Sequence, residues 1–372
     1  MAMQTEKAGG GSGGRVTNAV IDSDGHVQER LTLPPDLMTE IMERIGTDVA
    51  AMAAHGAEDP FPTESSGPPT LQTIEGGWDP LARLVDMDAD GIDIAVLYPT
   101  TPGLSFLPDA DRWSVVCRAY NDWLEEYCAA APTRLVGVGI VPLQDPQAAV
   151  REMERSLERG FKAVMIRPAP YIGTKKLHDP VYDPFWDAAQ AAHCPIGVHP
   201  FSFPDMPNVV QLLGLDDDTF GNPSKGLMLR QGLGNALDIM VALGWFVGGG
   251  ICERFPNLTV AFLEGSGGWI APMLERFDHH LDVFGSRYQT TPPSEIFKRQ
   301  CYISFDPDEE ALPFTANSKY VGAERIIWAS DYPHPDAKIP GVVAELDEAI
   351  ETLTADQRRL IRGDTAAALY DL

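Results

Sequence analysis

The sequence predicts an α/β chain closed into a barrel, and two observations support this. Short runs rich in Val, Ile, Ala or Phe, bounded by Gly or Pro, recur eight times along the chain, with helical stretches between them. Such runs suit strands buried on both faces. Alternation of strand and helix implies parallel strands joined by right-handed crossovers, and eight units suggest closure rather than an open sheet. The 372 residues exceed the usual single domain, but an α/β barrel with insertions reaches this length as one domain. The expected division is a disordered, glycine-rich tail over 1–15 and a single domain over 16–372.

Strand one is expected at 18–24, where AVIDSD precedes Gly25. Residues 27–80 read as a long insertion, helical near PDLMTEIMERI and rich in Pro, Gly and Ser around DPFPTESSGPPT. Lacking a core of its own, it reads as a lid or pocket wall. Strand two is GIDIAVLYP (91–99), followed by a helix over 111–131; strand three is 134–142, with a helix running to Arg159. KAVMIRP (162–168) is strand four, and a helix over 183–193 leads into strand five, CPIGVHP. After an irregular loop at 201–224 come a helix over 226–243, strand six at 258–264 and a helix over 268–284. Strand seven is 300–305, strand eight is 325–331, and a last helical stretch covers 354–370.

The balance of 28 basic against 54 acidic residues gives a net charge of −26, which opposes any broad grip on nucleic acid or an anionic membrane. A small anionic substrate would then need a local cation. Five scattered cysteines form no C-x-x-C pair and read as small buried hydrophobes in a reducing cytosol. The N-terminal stretch has no apolar core to serve as a signal peptide, and no run of about 18 uninterrupted apolar residues suggests a membrane span. A cytoplasmic protein is expected.

The candidate chemistry sits at strand ends, which converge on one rim in such a barrel. Asp24 and His26 stand two apart after strand one, so both can project from one side of an extended segment, although D-x-H alone is equally a strand-end turn. His199 closes strand five before Pro200, which holds it extended. Asp331 closes strand eight in ASDYPHPD; it can bind a divalent ion and accept a proton, or cap a following helix. His334 can donate to substrate or tie down the loop, and Glu264 closes strand six. Arg167 closes strand four, its forked donors suited to a substrate carboxylate or to an ion pair with a rim acid such as Asp24 or Glu264.

Taken together, D-x-H after strand one, the histidine after strand five, ERFPNLTVAFLEGSGGW and SDYPHPD resemble the amidohydrolase-related family that includes aminocarboxymuconate semialdehyde decarboxylase. The resemblance covers roughly 18–370. It implies a distorted TIM (β/α)8 barrel holding one divalent ion, usually zinc and sometimes manganese. By motif, Asp24, His26, His199 and Asp331 match the metal ligands. The implied reactions are non-oxidative decarboxylation of aromatic or enolic acids, or hydrolysis of C–C and C–N bonds. The implied partner is a small carboxylic acid, with a homodimer left open. One departure stands out: where the decarboxylases commonly place a catalytic histidine after strand six, this chain has Glu264. A carboxylate there can act as a base, bind the metal or orient a ligand histidine. A third reading is a catalytically silent barrel that binds a metabolite.

Overall fold

The computed structural model describes residues 15–41, 74–100, 107–200, 228–284, 289–334, 337–338 and 340–372. The expected N-terminal tail, most of the insertion and the loop over 201–224 lie outside these residues.

Eight strands form one sheet in chain order, each paired in parallel with the next, and helices lie between them. They are β1 (Ile21–Val27), β2 (Ile94–Pro99), β3 (Leu135–Ile140), β4 (Ala163–Ile166), β5 (Ile196–Val198), β6 (Val260–Phe262), β7 (Cys301–Phe305) and β8 (Ile326–Trp328). The (β/α)8 barrel closes where β1 meets the chain leaving β8: Asp331 N–H donates to Asp24 C=O at 3.2 Å and His26 N–H to Tyr332 C=O at 2.6 Å. The Asp22 carboxylate strengthens this seam by accepting from Ser330 N–H at 2.9 Å and Ser330 Oγ at 2.6 Å. Almost every strand residue is buried, as strands packed inside and out require.

Helix starts follow local chemistry. Asp79 caps α1 (Pro80–Asp90), Asp109 caps α2 (Ala110–Cys128) and Asp145 caps α3 (Pro146–Glu158), each side chain accepting a backbone N–H of the first turn. α1 fills the stretch between the expected insertion and strand two, where the sequence analysis places no element. Its signals are the Asp79-Pro80 start and Gly91, which ends it at φ 79°. α4 is Asp183–Ala191. The helix expected over 226–243 is α-helical as α5 (Ala236–Leu243), between π-helical turns at Arg230–Asn235 and Gly244–Gly248. Turns of that kind often mark functional positions. α6 (Ile270–Phe284), α7 (Pro293–Gln300) and α8 (Val342–Ala349) complete the longer helices.

Gln231–Arg254 is apolar and long enough to cross a membrane by length and composition, with half of its most apolar window buried within the protein. The burial has a packing cause: Phe246 stands edge-on to Trp186 at 5.4 Å and to Phe262 of β6 at 5.8 Å, joining this helix to α4 and the barrel wall. All five cysteines are free and buried.

Beyond α8 the chain returns beneath β1. A Cβ on Gly363 would stand 2.1 Å from the Ala19 carbonyl oxygen, so backbone meets backbone there. Gly363→Ala should therefore overpack this contact and lower stability by about 1–3 kcal/mol, read as a lower midpoint in thermal unfolding. An unchanged midpoint would show that the contact yields without cost.

Candidate active site

The sequence offers seven candidates, and six of them, Asp24, His26, His199, Glu264, Asp331 and His334, gather in one cluster. The β1–β2 register shifts between Asp22 and Gly25, a bulge just where the strand turns its side chains toward the rim. His26 Nε2 lies 3.7 Å from Asp24 Oδ1 and 3.4 Å from Asp331 Oδ1. Across the cluster, His199 Nε2 lies 3.7 Å from Asp24 Oδ2 and 2.9 Å from Glu264 Oε2. The two imidazole rings are 5.0 Å apart between centroids.

Backbone carbonyls orient both histidines. His26 Nδ1–H donates to Pro99 O at 3.0 Å and His199 Nδ1–H to Pro200 O at 2.8 Å, which turns each Nε2 toward the centre. Asp331 and Glu264 reach the cluster from left-handed backbone, at φ 56° and 43°. Such conformations are uncommon outside glycine and tend to concentrate at functional sites. The chain after Asp331 turns back, with His334 N–H donating to Asp331 C=O at 2.8 Å, and among the described residues no helix starts between Asp331 and α8 at Val342.

His334 joins the cluster through its ring. Its Nδ1 is 2.6 Å from Asp331 Oδ1, its Nε2 is 3.1 Å from Thr100 Oγ1, and it stacks on His26 at 4.1 Å. Thr100 N–H in turn donates to Glu29 Oε1 at 2.7 Å. Glu264 is held by Asn235 Nδ2, which donates to Oε1 at 3.0 Å from the π-helical turn before α5. Arg167 is placed differently. It is buried at the end of β4, and its charge acts on Asp238 of α5, whose carboxyl burial pushes up to about 7 while Arg167 pulls it back.

Burial and charge work against the ionised forms at the centre. Asp24 is raised well above the usual carboxylate range, first by burial and then by Glu264 and Asp331, with His199 opposing. His26 is lowered well below the usual imidazole range by burial, then by His334 and His199. For His199 burial alone would lower the ring, but Glu264 and Asp24 overcome it and raise it. Asp24 Oδ1 and His26 Nε2 are buried polar atoms with no hydrogen-bond partner among the described residues, a costly arrangement for a protein interior. A divalent cation among them would satisfy both, favour the carboxylate and take the place of a proton on His199. Ligand atoms of Asp24, His26 and His199 all lie within 4.8 Å of one another, as do those of His26, Asp331 and His334. Mixed imidazole and carboxylate donors suit such an ion.

A cavity of about 280 Å³ opens beside this cluster, lined by Glu264, Asp331, Ser330, Asn235 and Lys338 among others. A groove of about 790 Å³ is larger, but it runs along the outer sides of α2 and α3 and touches none of the clustered groups. The smaller space is therefore the one that matters. Sequence reasoning missed Thr100, Glu29, Asn235 and Ser330. Thr100 could have been found, because it follows β2 directly and obeys the same strand-end rule.

Fold and site together define a (β/α)8 barrel with a cluster of potential metal ligands at the C-terminal rim. The chain belongs to the amidohydrolase family, whose model matches residues 21–372. It is 24% identical over 299 residues to 2-amino-3-carboxymuconate-6-semialdehyde decarboxylase of Dictyostelium discoideum, covering 79% of this chain and 77% of that one. It is 26% identical over 321 residues to gamma-resorcylate decarboxylase of Rhodococcus jostii, covering 79% and 91%. A crystal structure of 5-carboxyvanillate decarboxylase from Novosphingobium aromaticivorans, with bound manganese and 3-methoxy-4-hydroxy-5-nitrobenzoic acid, superposes with a TM-score of 0.71. It has 25% identity, covering 95% of this chain and 97% of that one.

The contact between Glu264 and His199 makes a direct prediction. Glu264→Gln keeps the volume but weakens the hold on that ring, and should reduce divalent-ion affinity about 10–100-fold, measured by chelator competition. Unchanged affinity would mean that the carboxylate does not support His199 as a ligand.

Proposed function

We propose that the protein is a metal-dependent carboxy-lyase that removes carbon dioxide from a small aromatic carboxylic acid. The observation that carries this reading is the convergence of Asp24, His26, His199 and Asp331 beside a cavity whose volume suits a single substituted ring. The activities named for its relatives support the same reaction class. In this reading those four residues hold one divalent ion. Manganese has the better support, since two carboxylates contribute to the donor set and the related structure contains it.

When bound, the ion supplies a Lewis acid that holds substrate oxygens and stabilises developing negative charge. The protein's own residues do the rest. Decarboxylation breaks the bond between the ring carbon and the carboxyl carbon; carbon dioxide leaves, and the electron pair left on the ring takes up one proton. Asp331 is placed to deliver that proton, because its carboxylate lines the cavity and its Oδ1 is hydrogen-bonded to His334 Nδ1, which can resupply it. Glu264 braces His199. Arg167, with Asp238 as its counter-charge, is assigned to the substrate's carboxylate end. Buried free cysteines suit a reducing cytoplasm as the place of action.

Hydrolysis would use the same cluster, with Asp331 accepting a proton from water, so the reaction must be tested directly. Carbon dioxide release should be detected from hydroxylated benzoic acids in the presence of manganese and vanish with a chelator. Asp331→Asn should slow it at least a hundredfold, roughly 2.7 kcal/mol of transition-state stabilisation. Near-normal turnover in that variant would remove Asp331 from the chemistry.

A further inference from the structure

Against the backbone of the cluster lies a buried ion pair that the chemistry above does not use. Arg83 of α1 is 1% exposed, and so is Asp22 of β1; the guanidinium Nη2 stands 3.7 Å from Asp22 Oδ2. Arg83 Nη1 donates to His26 C=O at 2.8 Å and reaches Tyr332 C=O at 3.5 Å. Its planar face lies 4.2 Å over the Tyr332 ring, whose hydroxyl donates to Asp86 at 2.5 Å. One guanidinium thus contacts the backbone of His26 itself and of the residue next to Asp331.

Asp22 makes the matching connection. Its Oδ1 accepts from Ser330 N–H at 2.9 Å and from Asp24 N–H at 3.4 Å, and its Oδ2 accepts from Ser330 Oγ at 2.6 Å. The pair therefore touches the backbone at or beside Asp24, His26 and Asp331, the three clustered residues that straddle the β1–β8 seam. Gly25, between Asp24 and His26, is shaped by the same pair: a Cβ there would meet Arg83 Nη2 at 2.4 Å and Asp22 Oδ2 at 2.7 Å.

We propose that Arg83 and Asp22 are positioning residues that set the ion-binding geometry across this seam, so that divalent-ion affinity depends on a pair that touches no ion. A single pair could instead serve stability alone, and the two roles part under substitution. Removing one partner of a buried ion pair is strongly destabilising, whereas replacing both with apolar side chains of similar volume is often neutral or stabilising. Lysine cannot substitute for the fork, because a point charge cannot reach His26 C=O, Tyr332 C=O and Asp22 together.

The inference rests on the ion site proposed above and is independent of which reaction that site performs. The test is manganese affinity by chelator competition on the full chain, with thermal midpoints recorded in chelator. Arg83→Met and Arg83→Lys should each bind manganese about 10–100-fold more weakly than wild type. Asp22→Leu combined with Arg83→Met should restore the midpoint while leaving affinity weakened to the same extent. Wild-type affinity in the double variant would overturn the inference, reducing the pair to a stability element, and it decides the matter even if a single variant fails to fold. Wild-type protein that takes up no divalent ion would overturn the ion site and the inference together.

Discussion

The site depends on the burial of Asp24 and His26, whose facing atoms Oδ1 and Nε2 have no hydrogen-bond partner among the described residues. Asp24, His26 and His199 are almost completely excluded from water, yet the distances of 3.7 Å between Asp24 and each imidazole are too long for hydrogen bonds. Burial drives Asp24 and His26 toward their neutral forms. A cation would reverse that tendency for Asp24, favouring its carboxylate, and would bind the neutral imidazole of His26 that burial already favours. The cluster is thus organised around a positive charge that the side chains do not supply, in a chain whose net charge of −26 is far from supplying it elsewhere.

Holding such groups in place demands rigid support, and the barrel provides it at three levels. Parallel strands end together, which brings residues from β1, β5, β6 and β8 to one rim. Carbonyl oxygens of Pro99 and Pro200 fix the two imidazole rings. Left-handed backbone at Glu264 and Asp331 aims two carboxylates inward, at a local cost of order 1–3 kcal/mol each that the surrounding packing must offset. The seam between β1 and β8 is closed by side chains as well as backbone, so the elements that complete the barrel also align the site.

Much of this was legible in the sequence because strand ends announce themselves. Short apolar runs locate β1, β5, β6 and β8, and the polar residue that closes each run must face the rim, so Asp24, His26, His199, Glu264 and Asp331 stood out without any structure. Other features depend on contacts between segments far apart in sequence. Nothing local indicates that Asn235 would meet Glu264 29 residues later, that Thr100 would meet His334, or that Asp22 would bind Ser330 across 308 residues. Nothing local marks Arg83, which lies in α1, a helix the sequence analysis does not expect. Arg167 is a similar case: its strand-end position suggests a substrate carboxylate or a rim acid as partner, and nothing local to it indicates the charge of Asp238 in α5, on which it also acts.

The central claim is that this site breaks a carbon–carboxyl bond and protonates the carbon left behind, and isotopic solvent tests that most directly. A hydroxylated benzoic acid turned over with manganese in a mixture of D2O and H218O should yield a ring product with one deuterium at the vacated carbon and no heavy oxygen, as read by mass spectrometry. Products that carry oxygen-18 from water, with no deuterium on carbon, would identify a hydrolase and contradict the account.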